Sequence, residues 1–196
     1  PEILAPVRWK AVNLLFTAPI AELSPAFVAM LELIPLTAAV VFYWHRAMTL
    51  SWAGRPIPLW RQVSFGFGLF LACFVLFNPW GYLAEELVIG HMVEHLIIGD
   101  IASLFIVMGL TRSLLQPILA IKFFDRLQVL TNPLVAMPLW AINLFFWHIP
   151  AIYDTAYGGA FIHGVEHFTF LFFGCLVWMP VFGPLPTPTW FGPGWK

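Results

Sequence analysis

Apolar residues gather in five long runs, at 26–45, 62–78, 87–110, 128–149 and 161–182, separated by short stretches rich in turn formers and charge. Most of these runs approach the ~20 residues that a helix needs to cross ~30 Å of hydrocarbon. Backbone in lipid must satisfy its own hydrogen bonds, so each run is expected to be a helix. The pattern predicts an all-α fold, a polytopic membrane helix bundle of about five transmembrane helices over residues 26–182. Ser51-Trp52-Ala53-Gly54-Arg55-Pro56 and Tyr157-Gly158-Gly159 read as turns, and Gly183-Pro184-Leu185-Pro186-Thr187-Pro188 opens an extended, interfacial tail over 183–196. Residues 1–25, with Arg8, Lys10 and Pro19 breaking the apolar character, suit a segment lying on the membrane surface.

Composition agrees with the pattern. The chain is 61% hydrophobic, 17% aromatic and 10% charged, with a mean hydropathy of +0.86, whereas about a quarter of a soluble domain is charged. A lipid bilayer is therefore the expected surrounding. A net charge of −1 and the absence of a long basic run exclude nucleic acid as a partner. Cys73 and Cys175 lie in separate apolar runs without CxxC spacing and read as buried spectators. The chain opens on Pro1 with no methionine and no basic leader, so processing or further residues upstream are expected, and an additional span there stays open.

Basic residues give the runs a direction. Arg46, Arg55 and Arg61 follow the first run and Arg112, Lys122 and Arg126 follow the third, while none follows the second or fourth. Positive charge marks the cytoplasmic side, which places the amino terminus, Glu85, Glu86 and Asp154 outside and the carboxyl terminus inside. Trp44, Trp52, Trp60, Trp80, Tyr82, Trp147, Tyr153, Tyr157 and Trp178 flank the span ends as an aromatic belt.

That topology brings two nearly repeated motifs to one depth. His91-Met92-Val93-Glu94-His95 and His163-Gly164-Val165-Glu166-His167 each open a span that enters from the outer face, and His148 closes another on the same side. Histidines four apart share a helical face with Cβ atoms about 6 Å apart, a chelating geometry. Five of six histidines thus fall in one outer layer, with Glu94 and Glu166 nearby; ionisable residues there are expensive and ask for a function. The candidate metal residues are His91, His95, His148, His163, His167, Glu94 and Glu166.

Imidazoles with optional carboxylates suit copper, zinc or iron. Met92 and Met179 could add a thioether for cuprous ion, although methionine in an apolar helix is usually packing. A single haem clamped between the two pairs, or a di-iron oxygenase centre, are the oxidoreductase alternatives; a zinc protease is disfavoured because HExxH is absent and the inverted HxxEH occurs twice. The bland alternative is that the histidines are hydrogen-bonded packing residues. His45, beside Arg46, reads as interfacial, and Glu32 and Asp100 as polar clamps between helices.

Gly90-His91-Met92-Val93-Glu94-His95-Leu96, Phe146-Trp147-His148-Ile149-Pro150-Ala151-Ile152-Tyr153-Asp154, and His163-Gly164-Val165-Glu166-His167 followed by Trp178-Met179-Pro180-Val181 resemble, in order, the polytopic CtaG-type cytochrome c oxidase assembly family. The resemblance covers roughly residues 88–187. It implies a multi-pass protein of the bacterial cytoplasmic membrane that handles copper for a haem–copper oxidase, with His91, His95, His148, His163 and His167 as metal residues. Family members are usually longer, and where they tend to carry prolines after the first motif this chain reads Ala102-Ser103-Leu104. A shortened member that kept the fold as an accessory subunit of a larger respiratory or photosynthetic membrane complex is the alternative.

Overall fold

A computed structural model describes residues 25–76, 88–121, 129–130, 132–158 and 160–185. Among the described residues, α-helices follow in chain order: α1 (Pro25–Trp52), α2 (Leu59–Leu76), α3 (Val88–Leu96), α4 (Ser103–Gly109), α5 (Arg112–Leu119), α6 (Pro133–Trp147), α7 (Pro150–Gly158) and α8 (Ala160–Phe182). A π-helical stretch, Ile97–Ala102, joins α3 to α4, so residues 88–109 form one continuous rod. No strand occurs among the described residues. The fold is all-helical.

Among the described residues, three stretches are long and apolar enough to cross a bilayer: Leu59–Leu76, Ile89–Gly109 and Phe161–Phe182. The pair α6 and α7 makes a fourth if its 77° bend is read as one broken span. The sequence pattern predicts about five. Two physical features separate pattern from structure. α1 covers the first run but continues through His45 and Arg46 to Trp52, so those polar residues lie in the helix and not in the loop after it. The fourth run ends at Trp147, and the chain then turns at His148 into α7, which occupies the stretch expected to be a turn at Tyr157-Gly158.

The ends follow local chemistry. Gly54 takes φ 72° after α1, a left-handed conformation that costs glycine nothing. Asn132 caps α6, its Oδ1 accepting from Leu134 N at 3.1 Å, with Pro133 in the first turn where its missing N–H is harmless. Thr111 caps α5 by accepting from Leu114 N. Gly183 closes α8 with N–H to Met179 O at 2.8 Å, as the Gly-Pro pair predicts.

The rod 88–109 lies between α2 and α8; α8 also packs on α6, α7 and α1. Small residues set these crossings. A Cβ on Gly68 of α2 would come within 2.7 Å of Ala102 O, one on Gly109 within 2.7 Å of Arg61 O, and one on Gly174 of α8 would fall on the Gly99 carbonyl. Without a hydrophobic drive between helices in lipid, such close backbone approach supplies the association. Polar bonds add to it: Ser64 Oγ donates to Phe105 O at 2.8 Å and Trp178 Nε1 to Asp100 O at 3.0 Å. Outward faces are apolar, with Ile34, Val41, Val63, Phe70, Ile89, Leu134 and Phe145 exposed, as lipid contact requires.

Arginines collect at one end. Arg46 Nη2 donates to Ser113 O at 2.8 Å, and Arg61 Nη1 donates to Met108 O at 2.9 Å and Leu110 O at 2.7 Å. Trp44, Trp52 and Trp60 are exposed near that end, as a belt requires. Trp147 and Trp178 depart from the expected belt: Trp147 is buried, and Trp178 serves a helix–helix bond. Asp100 is half-buried, and it is its carbonyl that clamps α8. The surface segment over 1–24, the side chain of Glu32, Trp80, Tyr82, Glu85, Glu86, Lys122, Arg126 and the tail from 186 lie outside the described residues.

Candidate metal centre

In HxxEH the two histidines lie 40° apart on the helix and the glutamate lies 60° and 100° from them, since each residue turns the helix by about 100°. Two such helices side by side can therefore pair histidines with histidines while each glutamate reaches across. α3 and α8 do this. The rings of His91 and His163 have centroids 5.8 Å apart, and those of His95 and His167 are 5.6 Å apart. Glu166 Oε1 of α8 lies 3.1 Å from His95 Nε2 and 3.7 Å from His91 Nε2 of α3. In the opposite sense, Glu94 Oε2 of α3 lies 4.0 Å from His167 Nε2 of α8.

His148 joins from a third helix. It caps the carboxyl end of α6, where the backbone leaves the helix, and its Nδ1 meets Leu144 O at 2.6 Å. A ring that donates from Nδ1 presents Nε2 as a lone pair. The ring faces His95 at 6.2 Å. All five histidines named from the sequence, together with Glu94 and Glu166, thus meet in one place. His45 is exposed at the arginine end. Met179 lies sixteen residues beyond His163 on α8, about 24 Å along the axis, far from the cluster.

Burial makes the cluster costly without a bound partner. Glu166 is 1% exposed, and His91, Glu94, His95 and His167 are buried with it. Both carboxylate oxygens of Glu166, His167 Nε2 and His95 Nδ1 are buried without a hydrogen bond. Glu166 Oε1 is at ion-pair distance from His95 but is not aligned for a bond. An unsatisfied buried polar group costs roughly 1–3 kcal/mol, and more when charged. A cation among these atoms would satisfy several of them together. Two groups have ligand atoms all within 4.8 Å of one another: His91, His95 and Glu166, and His91, Glu94 and His163. The donor set therefore fits a metal ion.

Several supports escaped the sequence reading. Phe170 stacks on His95 at 4.1 Å, and the Tyr153 ring meets His91 edge-on at 5.4 Å, so Tyr153 belongs to the site and not to the belt. Trp147 Nε1 donates to Thr169 Oγ1 at 2.9 Å and lies 3.2 Å from Asn143 Oδ1, tying α6 to α8 beside His148. Thr169 in turn donates to Glu166 O at 2.8 Å. The π-helical turn directly after His95 sets the phase of α4, a feature frequent at functional sites. No periodicity in the sequence signals it. Below His167 lies an apolar cavity of about 380 Å³, walled by Leu36, Leu69, Ile98, Leu171 and Cys175 among others.

A family model described as cytochrome c oxidase caa3 assembly factor matches residues 16–196. The match takes in the first half of the chain, where the motifs alone gave little. No curated protein and no solved structure matches.

Proposed function

From the finding that the chain belongs to the cytochrome c oxidase caa3 assembly factor family, we propose that it handles copper for a haem–copper oxidase, binding the ion among His91, His95, His148, His163 and His167 with Glu94 and Glu166. The carrying observation is the crosswise pairing of α3 and α8, in which Glu166, 1% exposed, sits 3.1 Å from His95. Imidazole nitrogen is a good copper ligand, and a transferable ion needs ligands that exchange singly. The glutamates orient the imidazoles and take up protons as ligands bind and leave. Zinc and iron suit the same donors. The tight ring packing favours an ion over a haem lying between α3 and α8.

The protein, on this reading, has five spans: α1, α2, the rod 88–109, the broken pair α6–α7, and α8. Met108, which Arg61 holds, is seventeen residues from His91 on one rod, about 25 Å along the axis. The arginine layer and the histidine layer are at opposite ends. Positive charge inside then puts the histidines in the outer leaflet of the bacterial cytoplasmic membrane, with the amino terminus periplasmic and the carboxyl terminus cytoplasmic. Copper would be met or released on the periplasmic side.

The test is anaerobic titration of the detergent-purified protein with cuprous ion against a coloured chelator. The wild type should withdraw copper from the chelator, and a His91→Ala, His167→Ala double variant should not. Equal copper in both proteins, or none in either, overturns the reading. An accessory subunit without copper would give the second result, and a haem protein would show a Soret band as purified.

A further inference from the structure

We infer that the centre holds two metal ions side by side, one in each half of the crossed α3–α8 pair, and not a single ion among all the donors. This inference rests on the metal-binding reading above and specifies its stoichiometry.

Five histidines and two glutamates converge, whereas a tetrahedral ion takes four ligands and a cuprous ion commonly fewer. Two sets of close donors lie within this surplus, overlapping at His91. His91, His95 and Glu166 form one set of mutually close donors, and His91, Glu94 and His163 form the other. Each set draws its glutamate from a different helix: Glu166 comes from α8 to the α3 histidines, and Glu94 stays on α3 and faces the α8 histidines, with Oε2 4.0 Å from His167 Nε2. The repeated motif thus acts as a local pseudo-twofold, in which one carboxylate serves each half. One imidazole nitrogen binds one ion, so His91 serves the first set, where the His148 ring stands 6.2 Å from that of His95, and His167 takes its place beside Glu94 and His163 in the second.

His91 belongs to both sets, stacked with His163 on one side and touching His95 on the other. With the facing rings of the two helices 5.8 and 5.6 Å apart, ions held by the two sets are neighbours, at the roughly 3.5–4 Å of two-metal sites. Burial supports this arrangement as well: two carboxylates at membrane depth, each next to its own cation, place less uncompensated charge in the hydrocarbon than two beside one monovalent ion. For an assembly factor this makes a two-ion delivery, or an exchange between adjacent positions, structurally available.

Elemental analysis of protein loaded with cuprous ion and desalted gives the count per chain. Two equivalents are expected for the wild type, falling to one in Glu94→Gln and to one in Glu166→Gln, each of which keeps the side-chain volume. X-ray absorption of the wild type should show a metal–metal vector that both variants lose. One equivalent in the wild type, or two without a metal–metal vector, overturns the inference and leaves the metal-binding reading standing. No copper at all overturns that reading instead. Should a glutamine variant fail to assemble, the wild-type count and vector decide alone.

Discussion

His91 and His95, one turn apart on α3, hold their Nε2 atoms 2.7 Å from each other. Two imidazole nitrogens stand this close when a proton lies between them, one donating and the other accepting. On a tetrahedral ion with bonds of about 2.0 Å, two ligand nitrogens are about 3.3 Å apart. The ion must displace that proton and spread the rings.

Protonation of either ring blocks its ligand nitrogen, so affinity weakens as pH falls. Histidine ligands bind in the neutral form, so the proton and the ion compete for the same lone pair. A chelator competition at about pH 8 and about pH 5.5 should show at least a tenfold weaker constant in acid. A constant that does not move across that interval is inconsistent with histidine ligation.

Gly174 and Gly99 set the spacing of α8 on the rod, and with it the distance between the two histidine pairs. A methyl at 174 meets the Gly99 carbonyl, a backbone atom with no rotamer to move away. Gly174→Ala should cost roughly 1–3 kcal/mol through overpacking. Gly66 on α2 has nothing within 4 Å of an added Cβ, so Gly66→Ala is the control and should hold or raise the midpoint. Thermal unfolding in detergent compares the two; equal midpoints would mean that the helices do not cross at Gly99.

Much of the centre is legible in the sequence because two rules act at short range. Spacing of four aligns His91 with His95 and His163 with His167, and charge asymmetry brings both pairs to one end. These rules need no tertiary information. What they miss is set by contacts between helices. Trp147 looks like a belt residue from its place at the end of an apolar run, yet it turns inward because Thr169 and Asn143 offer acceptors. Tyr153 follows a bend of 77° that the fourth run does not reveal, so its contact with His91 has no periodic signature. The crosswise reach of the glutamates likewise depends on α3 and α8 being neighbours, a consequence of glycine crossings that hydropathy does not register. Hydropathy also does not show where a helix continues through a polar pair, as α1 does at His45 and Arg46, or breaks, as α6 does at His148.

Trp147 should be a positioning residue for His148, its sequence neighbour. Trp147→Phe keeps the buried ring and removes the N–H, leaving Thr169 Oγ1 and Asn143 Oδ1 without that donor. Asn143 Nδ2 already lacks a partner, so the local network has little capacity to rearrange. Stability should fall by about 1 kcal/mol, and copper affinity should fall by roughly tenfold, the smaller end of what outer supports contribute to a metal site. A purely structural role would lower the unfolding midpoint and leave the chelator competition unchanged.

Arg61 offers the complementary separation of fold from site. α4 ends at Gly109 and leaves carbonyls with no helical N–H, and the Arg61 guanidinium takes those of Met108 and Leu110 from the neighbouring helix. A cation is also favoured at that end of the helix dipole. Arg61→Ala should cost roughly 1–3 kcal/mol, the range for leaving buried acceptors without a donor to a charged group. Arg61→Lys should recover part of this loss, because an ammonium supplies charge but lacks the planar fork that can hold two carbonyls in place. Since this end lies about 25 Å from His91 along the rod, both variants should keep the wild-type copper count while their midpoints fall. A lost copper count at an unchanged midpoint would mean instead that the two layers are coupled, and that the arginine end takes part in binding.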